Sequence, residues 1–425
     1  MCITIPYGDT RQILDLSAAS SLEVLETESP QAKGPANEDK IVLQAMAKPY
    51  GGVRLNDLAA DKKTAILIIS DHTRPVPSRH IIPFMLAELR QNNPKIDLTL
   101  LVATGCHRGT TVKELVNKLG EKIVAEEKIV VHDCFDQETN VDVGILPSGA
   151  HLVISAYAAK TDLLVAEGFI EPHFFAGFSG GRKSVLPGIC DFVTVMGNHC
   201  ASFIDSPYAR TGILKNNPIQ KDMLAAAKLA GLAYIVNVVI DKDKKVVQAF
   251  AGEPESAHSA GCAFLESYCR VKPRQKGDIV ITSNGGAPLD QNVYQAVKGL
   301  TAAEAAAAEQ AVLIICARCE DGAGGESFYR ALRDCSSPAD LLKEIRQIPM
   351  NATKPDQWEY QILVRILEKH QVIIVACPEI AGRIAEMKMH YAPDLETAYK
   401  MAQEIVGLKA HTVVIPDGVA VIVDR

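Results

Sequence analysis

At 425 residues the chain is too long for one ordinary hydrophobic core, so two domains are expected. Its 48% hydrophobic and 22% charged residues describe a globular protein, and apolar runs such as AILIIS (65–70) fall far short of the ~20 residues of a membrane helix. A formal net charge of −7, with the 44 Lys and Arg scattered without runs, argues against a nucleic-acid surface.

The opening MCITIPYGDTRQ has neither the basic nor the apolar region of an export signal. Eleven cysteines without small-domain spacing read as reduced thiols of a cytoplasmic protein. TAILIIS (64–70) then reads as a strand and SRHIIPFMLAELRQ (78–91) as the helix that follows it. IDLTLLVAT (96–104) is the next strand, and a helix opens at Thr111, where Thr111-Val-Lys-Glu114 fits a capping box. KIVVHD (128–133) and DLLVAEGFI (162–170) continue the series, and the runs within 233–252, joined by DKDK, read as a hairpin. Strand-length apolar runs alternating with helical periods predict an α/β fold: two α/β domains with mainly parallel sheets.

RVKPRQKGD (270–278) is polar and contains proline, which sets the boundary between an N-terminal domain (1–270) and a C-terminal one (271–410). DIVITSNGG, AVLIICA and QVIIVACP are buried strands of the second, and AAEAAAAEQ (302–310) is a strong helix former. HTVVIPDGVAVIVDR (411–425) reads as a closing hairpin about Pro-Asp-Gly, free to return to the first domain. The single C-x-x-C, Cys316 to Cys319, reads as core thiols at a strand end rather than as a metal or redox pair.

Open α/β sheets bind ligands beyond the carboxyl ends of their strands. AILIIS is followed by DHTRPVP (71–77), LTLLVATG by CHRGTT (106–111) and LLVAEGFI by EPHFFAGFSGGRKS (171–184). Asp71, His72, Arg74, His107, Arg108, His173 and Lys183 are thereby delivered to one sheet edge. The glycines before Lys183 suit either an anion-binding nest or a tight structural loop. They fail the P-loop pattern, because Gly177 lies six residues before Lys183 and Arg182 takes the place of glycine. In DQNVYQAVKG (290–299), Gln291, Tyr294, Gln295 and Lys298 form one polar helical stripe opposite Val293, Ala296, Val297 and Leu300. An amide beside an ammonium suits a small carboxylate, and a solvated helix face is the alternative.

SDHTRPVPS (70–78), ATG-x-HR-x-TT (103–111), EGFIEPHFFAGFSGGRKSVLPG (167–188), GNHC (197–200), NNPI (216–219) and NGG-x-PLDQN-x-YQ-x-VKG (284–299) together resemble the lactate racemase family over nearly the whole chain. The resemblance implies an isomerase that interconverts D- and L-lactate by hydride transfer, with its site in the cleft between the domains. It also implies nickel, held in a nickel(II) pyridinium-3,5-bisthiocarboxylate mononucleotide (a pincer nucleotide) attached at Lys183, with His199 completing the metal's coordination. Asp71, His72, Thr73 and Arg74 match cofactor contacts, His107 and His173 the acid–base pair, and Gln295, Lys298 and Tyr294 the substrate contacts. The implied partners are a small 2-hydroxy acid and the enzymes that make the cofactor.

Ala287 stands where lactate enzymes carry a larger aromatic, which leaves malate or a sugar acid as alternative substrates; Arg108 and Arg182 are the nearest cations for malate's second carboxylate. A non-catalytic carrier would need only Lys183 and His199, and a metal hydrolase would need an H-E-x-x-H that is absent. Trp358 suits a pocket wall or ordinary packing.

Overall fold

Thr64–Ser70, Asp97–Ala103 and Leu163–Phe169 are apolar runs with interiors buried on both faces, as strands of a helix-covered parallel sheet must be. In the computed structural model, which describes residues 1–17, 19–27 and 37–424, they lie side by side. Their six-stranded sheet runs in the order Val246–Gly252, Leu232–Ile240, Leu163–Phe169, Thr64–Ser70, Asp97–Ala103, Lys128–Val131. All pairs are parallel except the expected hairpin of Leu232–Ile240 with Val246–Gly252. From Thr64–Ser70 the chain builds outward on one side, then returns on the other with Leu163–Phe169. The topological switch point therefore falls between these two strands, where ligands of open sheets bind. The capping box is present: Thr111 Oγ1 accepts from Glu114 N (3.3 Å) and Glu114 Oε2 from Thr111 N (2.8 Å).

A second six-stranded sheet, all parallel, runs His390–Ala392, Gln371–Val375, Ala307–Cys316, Gly277–Ser283, His411–Ile415, Ser21–Val24. It corrects three expectations. Residues 1–25 do not belong to a 1–270 domain, because Ser21–Val24 adds to the second sheet beside His411–Ile415. The hairpin of Cys2–Tyr7 and Thr10–Asp15 puts Ile3, Ile5, Leu14 and Leu16 into the cluster of Ile279, Ile281 and Ile314. Two isolated strands cannot bury their apolar face alone, and the uncovered side of this sheet supplies the partner.

Among the described residues, 411–424 form no hairpin. His411–Ile415 inserts as an inner strand, and Ile422–Val423 pairs in parallel with Arg270–Val271. The Pro-Asp-Gly turn is bonded sideways instead: Ser283 Oγ donates to Pro416 O (2.6 Å) and Gly418 N to Ser283 O (3.0 Å). The alanine-rich segment also divides, since the Val293–Ala306 helix ends and Ala307 enters the strand opposite Gly277. Sheet pairing overrides helix propensity there.

The domains are packed on each other. Gln361 Nε2 donates to Ala201 O at 2.8 Å, and Arg346 pairs with Asp205 through two bonds of 3.1 Å. One apolar cluster includes Val195, Ile204 and Met223 of the first domain with Val297, Tyr360 and Leu363 of the second. All eleven cysteines are free, and Cys316 closes a buried strand beside buried Cys319. Among the described residues no helix is long and apolar enough to cross a membrane.

Candidate active site

The Leu163–Phe169 strand carries the anchor of its neighbour's loop. Glu167, 2% exposed, accepts through Oε1 from Ser70 N (3.1 Å), Ser70 Oγ (2.9 Å) and Ser78 Oγ (2.8 Å), closing segment 71–77 at both ends. Within it Asp71, 1% exposed, accepts through Oδ1 from Thr73 N (3.2 Å) and Oγ1 (2.7 Å). Its Oδ2 takes a 2.7 Å bond from Nδ1 of His107. Burial pushes the Asp71 carboxyl up, but His107, Thr73 and Arg74 outweigh it and hold it below its ordinary value. An ionised acceptor on Nδ1 places a ring proton there, and in the neutral ring Nε2 of exposed His107 holds the lone pair of a base. Gly105 N to Gly188 O (2.9 Å) ties the His107 loop to the lysine loop.

The lysine loop explains its own glycines. Gly180 and Gly181 have φ of 79° and 55°, and a Cβ would stand 2.7 Å from Asn237 Oδ1 or 2.8 Å from the His258 ring. The Gly181 N–H donates to Asn237 Oδ1 (2.7 Å) and that of Lys183 to Gly180 O (3.2 Å), so these two are already engaged rather than open to an anion. Arg182 points away from Lys183 and is buried without a carboxylate. It donates to Gln220 Oε1, to Ala176 O (3.0 Å) and Phe178 O (2.9 Å), and lies 2.8 Å from His258 Nε2. Burial lowers its pKa to about 10.

Lys183 Nζ lies 3.1 Å from His173 Nε2 and 5.7 Å from the centre of the Phe175 ring. His173 Nδ1 accepts from Ala176 N (3.3 Å) and Phe175 N (3.5 Å), so its ring proton sits on Nε2 and the lysine that receives it is a neutral amine. Burial, then the charges of Arg182 and Arg74, hold Lys183 well below its ordinary value. Burial, with the Lys298 and Arg74 charges beside it, does the same to His173.

His199 ends the Phe192–Asn198 helix, and its Nδ1 donates to Val195 O at 2.9 Å. A carbonyl can only accept, so Nδ1 carries a proton and, in the neutral ring, Nε2 holds the lone pair. Burial brings its pKa to about 3. Its ring meets Phe175 at 5.1 Å and Trp358 of the second domain at 5.0 Å, which makes Trp358 a wall of the site.

The second domain supplies the Val293–Ala306 helix, capped by Asn292 through a 2.9 Å bond from Gln295 N. Lys298 Nζ donates to Gln295 Oε1 (2.6 Å) and stands 6.0 Å from the centre of the Phe174 ring, which itself stacks on His173 at 5.1 Å. Val293, Ala296, Val297 and Leu300 are fully buried, as the stripe requires. The Tyr294 hydroxyl is raised by burial, then by Glu359 and Asp356. The cleft thus gathers Lys183, His173, His199, Lys298 and Tyr294, with Arg74 acting on the first two and on Lys298.

Other expected residues go elsewhere. His72 bonds Thr110 Oγ1 (3.1 Å) beside the helix cap at Glu114, and Arg108 is held by two bonds to Glu114 (3.0 and 2.6 Å). Gln291 is exposed, and exposed Ala287 donates its N–H to Gly8 O (3.0 Å). Two carboxylates went unnoticed in the sequence: Glu171, whose charge faces Arg74, Lys298 and Lys183, and Glu359, next to Trp358. Glu171 stands two residues before His173 and was within reach of the motif, whereas Glu359 lies in no motif.

Imidazoles and amines gathered in a cleft between α/β domains suit acid–base chemistry on a small acid. The comparisons narrow the class. Residues 7–212 match the lactate racemase N-terminal domain and 272–423 the lactate racemase C-terminal domain. The chain is 50% identical over 421 residues to a lactate racemase of Thermoanaerobacterium thermosaccharolyticum, covering 99% of each. It is 47% identical over 426 residues to one from Lactiplantibacillus plantarum, covering 100% of each. The apoprotein structure of a lactate racemase from T. thermosaccharolyticum superposes with a TM-score of 0.96 at 49% identity, over 100% of both chains. A Thermotoga maritima protein of 18% identity shares the fold alone, with a TM-score of 0.65 over 94% of this chain and 100% of that one. The chain belongs to the lactate racemase family and is an isomerase.

The family implies a nickel-pincer nucleotide, and the residues fit one. His199 offers a single imidazole lone pair, while among the described residues no three His, Cys, Asp or Glu could hold a bare ion. A metal here would draw its other donors from the group itself, a chemistry suited to Ni(II).

Proposed function

We propose that the chain racemises lactate, with Lys183 as the covalent anchor of the pincer nucleotide and His199 Nε2 as its protein ligand to nickel. When bound, the group supplies a hydride acceptor and donor. The chain's own residues bind, orient and move protons. Lys298 and Gln295 hold the substrate carboxylate, with Tyr294 alongside. Asp71, Thr73 and Arg74 line the cofactor's side of the cleft, and His72 supports them from the helix cap.

His107 and His173 take and return the hydroxyl proton, one for each enantiomer. The observation that carries the reading is the 3.1 Å contact of a neutral Lys183 amine with His173, in a cleft that also holds the His199 lone pair. Lactate is favoured over malate because Arg108 and Arg182, the nearest cations for a second carboxylate, are already engaged. Eleven free thiols suit a reducing cytoplasm, where the cofactor-making enzymes would be the partners.

Intact-mass and nickel analysis test the assignment after expression with those enzymes. Lys183→Ala should lack the heavy adduct and activity, and His199→Ala should keep the adduct and lose nickel. An adduct on Lys183→Ala, or full nickel in His199→Ala, overturns it.

A further inference from the structure

Asp290 is 1% exposed and stands just ahead of the Val293–Ala306 helix. Its Oδ2 accepts from Gly8 N at 2.7 Å and from Arg318 N at 3.1 Å, and its carbonyl oxygen accepts from Cys319 N at 2.9 Å. One residue thereby joins the turn of the N-terminal hairpin, the segment leaving the Ala307–Cys316 strand, and the start of the helix that carries Tyr294, Gln295 and Lys298.

The segment that Asp290 grips runs on to that helix. Asp321 N donates to Gln291 O (2.8 Å), Val293 N to Gly322 O (3.2 Å) and Tyr294 N to Ala323 O (3.1 Å). A helix leaves its first N–H groups without partners of its own, and here the loop's carbonyls take two of them. Tyr294 is thus bonded to the loop through its own backbone. The fit is close, since a Cβ on Gly324 would stand 2.5 Å from that of Tyr294. Cys319 has a φ of 56°, a left-handed conformation that a side chain adopts only where its surroundings enforce it. The N–H bond to Asp290 and a 2.9 Å bond from Gly322 N to the Cys319 carbonyl do so here.

We propose that Asp290 is a positioning residue for the substrate carboxylate: it fixes the loop at 318–323, and the loop fixes where Tyr294, Gln295 and Lys298 meet the acid. The proposal rests on the reading of those three as substrate contacts. Losing the carboxylate leaves the Gly8 and Arg318 N–H groups without this acceptor and frees the loop at one end. Lys183 and His199 belong to the first domain, so the anchor and the metal ligand keep their places.

Steady-state kinetics on cofactor-loaded enzyme test this, with adduct, nickel content and urea midpoint measured for each variant. Asp290→Ala should raise KM for lactate about tenfold and change kcat less than about threefold, with adduct and nickel at the parent level. Asp290→Asn keeps an uncharged acceptor and should fall between, at about threefold. In a Lys298→Ala background, Asp290→Ala should raise KM less than about threefold, because a contact it positions is gone. An equal penalty with and without Lys298 overturns the proposal. So does a parent KM with lowered kcat and loaded fraction, the mark of a merely structural role. If Lys298→Ala alone leaves KM unchanged, the reading of the substrate contacts falls and this inference with it. Should Asp290→Ala fail to fold, Asp290→Asn carries the test: a raised KM with unaltered adduct supports the role, and a parent KM overturns it.

Discussion

Asp71 sets both the orientation and the tautomer of His107, because its Oδ2 takes the Nδ1 proton while Oδ1 is held by Thr73. Asp71→Asn should therefore keep adduct and nickel while the rate falls toward the loss of about 10²–10⁴ expected for a missing base. Its folded carboxyl titrates below the ordinary value. The stabilisation it gives is present above that ordinary value, about 3.9, and is lost as the pH falls through the depressed one. The parent protein should thus lose more stability than Asp71→Asn between neutral pH and about pH 3, read from urea midpoints. Equal losses would show that the pair adds nothing to the fold. Most site residues were legible in the sequence because they follow strand ends in long motifs. The hydrogen bond that chooses a histidine's tautomer was not, since the Val195 carbonyl and the Ala176 N–H carry no side-chain signal.

The glycine-rich loop shows how an element can mislead. Its composition suits an anion nest, yet φ values near 79° and 55° and contacts with Asn237 and His258 account for Gly180 and Gly181. Arg182 clamps the element from behind, with Gln220 as the partner of Nε. Gln220→Ala leaves that buried donor unpaired, so stability should fall by about 1.5–3 kcal/mol and the adduct-bearing fraction should drop with it. A loss within about 0.5 kcal/mol would mean that the loop holds without the clamp. The Val293–Ala306 helix was better predicted, because a polar stripe opposite a buried one is a periodic signal. Its neighbour Glu359 was hidden, because only the packing of two helices reveals what a lone glutamate faces.

At the scale of the molecule, two mainly parallel sheets were legible as alternating strands and helices, and the first switch point lies beside the strand ends that carry the motifs. The ends of the chain were not legible. Ser21–Val24 and Ile422–Val423 are short, and their partners lie far off in sequence, so local pattern could not reveal that they close the second domain. Packing of that domain on the first brings Trp358 to His199 and Lys298 to Phe174, which assembles one cleft from both halves. The central claim is that this cleft holds two bases, one for each hand of the substrate. Its direct test mixes stoichiometric loaded enzyme with one pure lactate enantiomer and traps the 2-oxo acid formed, for His107→Ala and His173→Ala in turn. Each variant should oxidise one enantiomer and fail by about 10²–10⁴ on the other, with opposite preference. Equal loss of both half-reactions in both variants would contradict the two-base account.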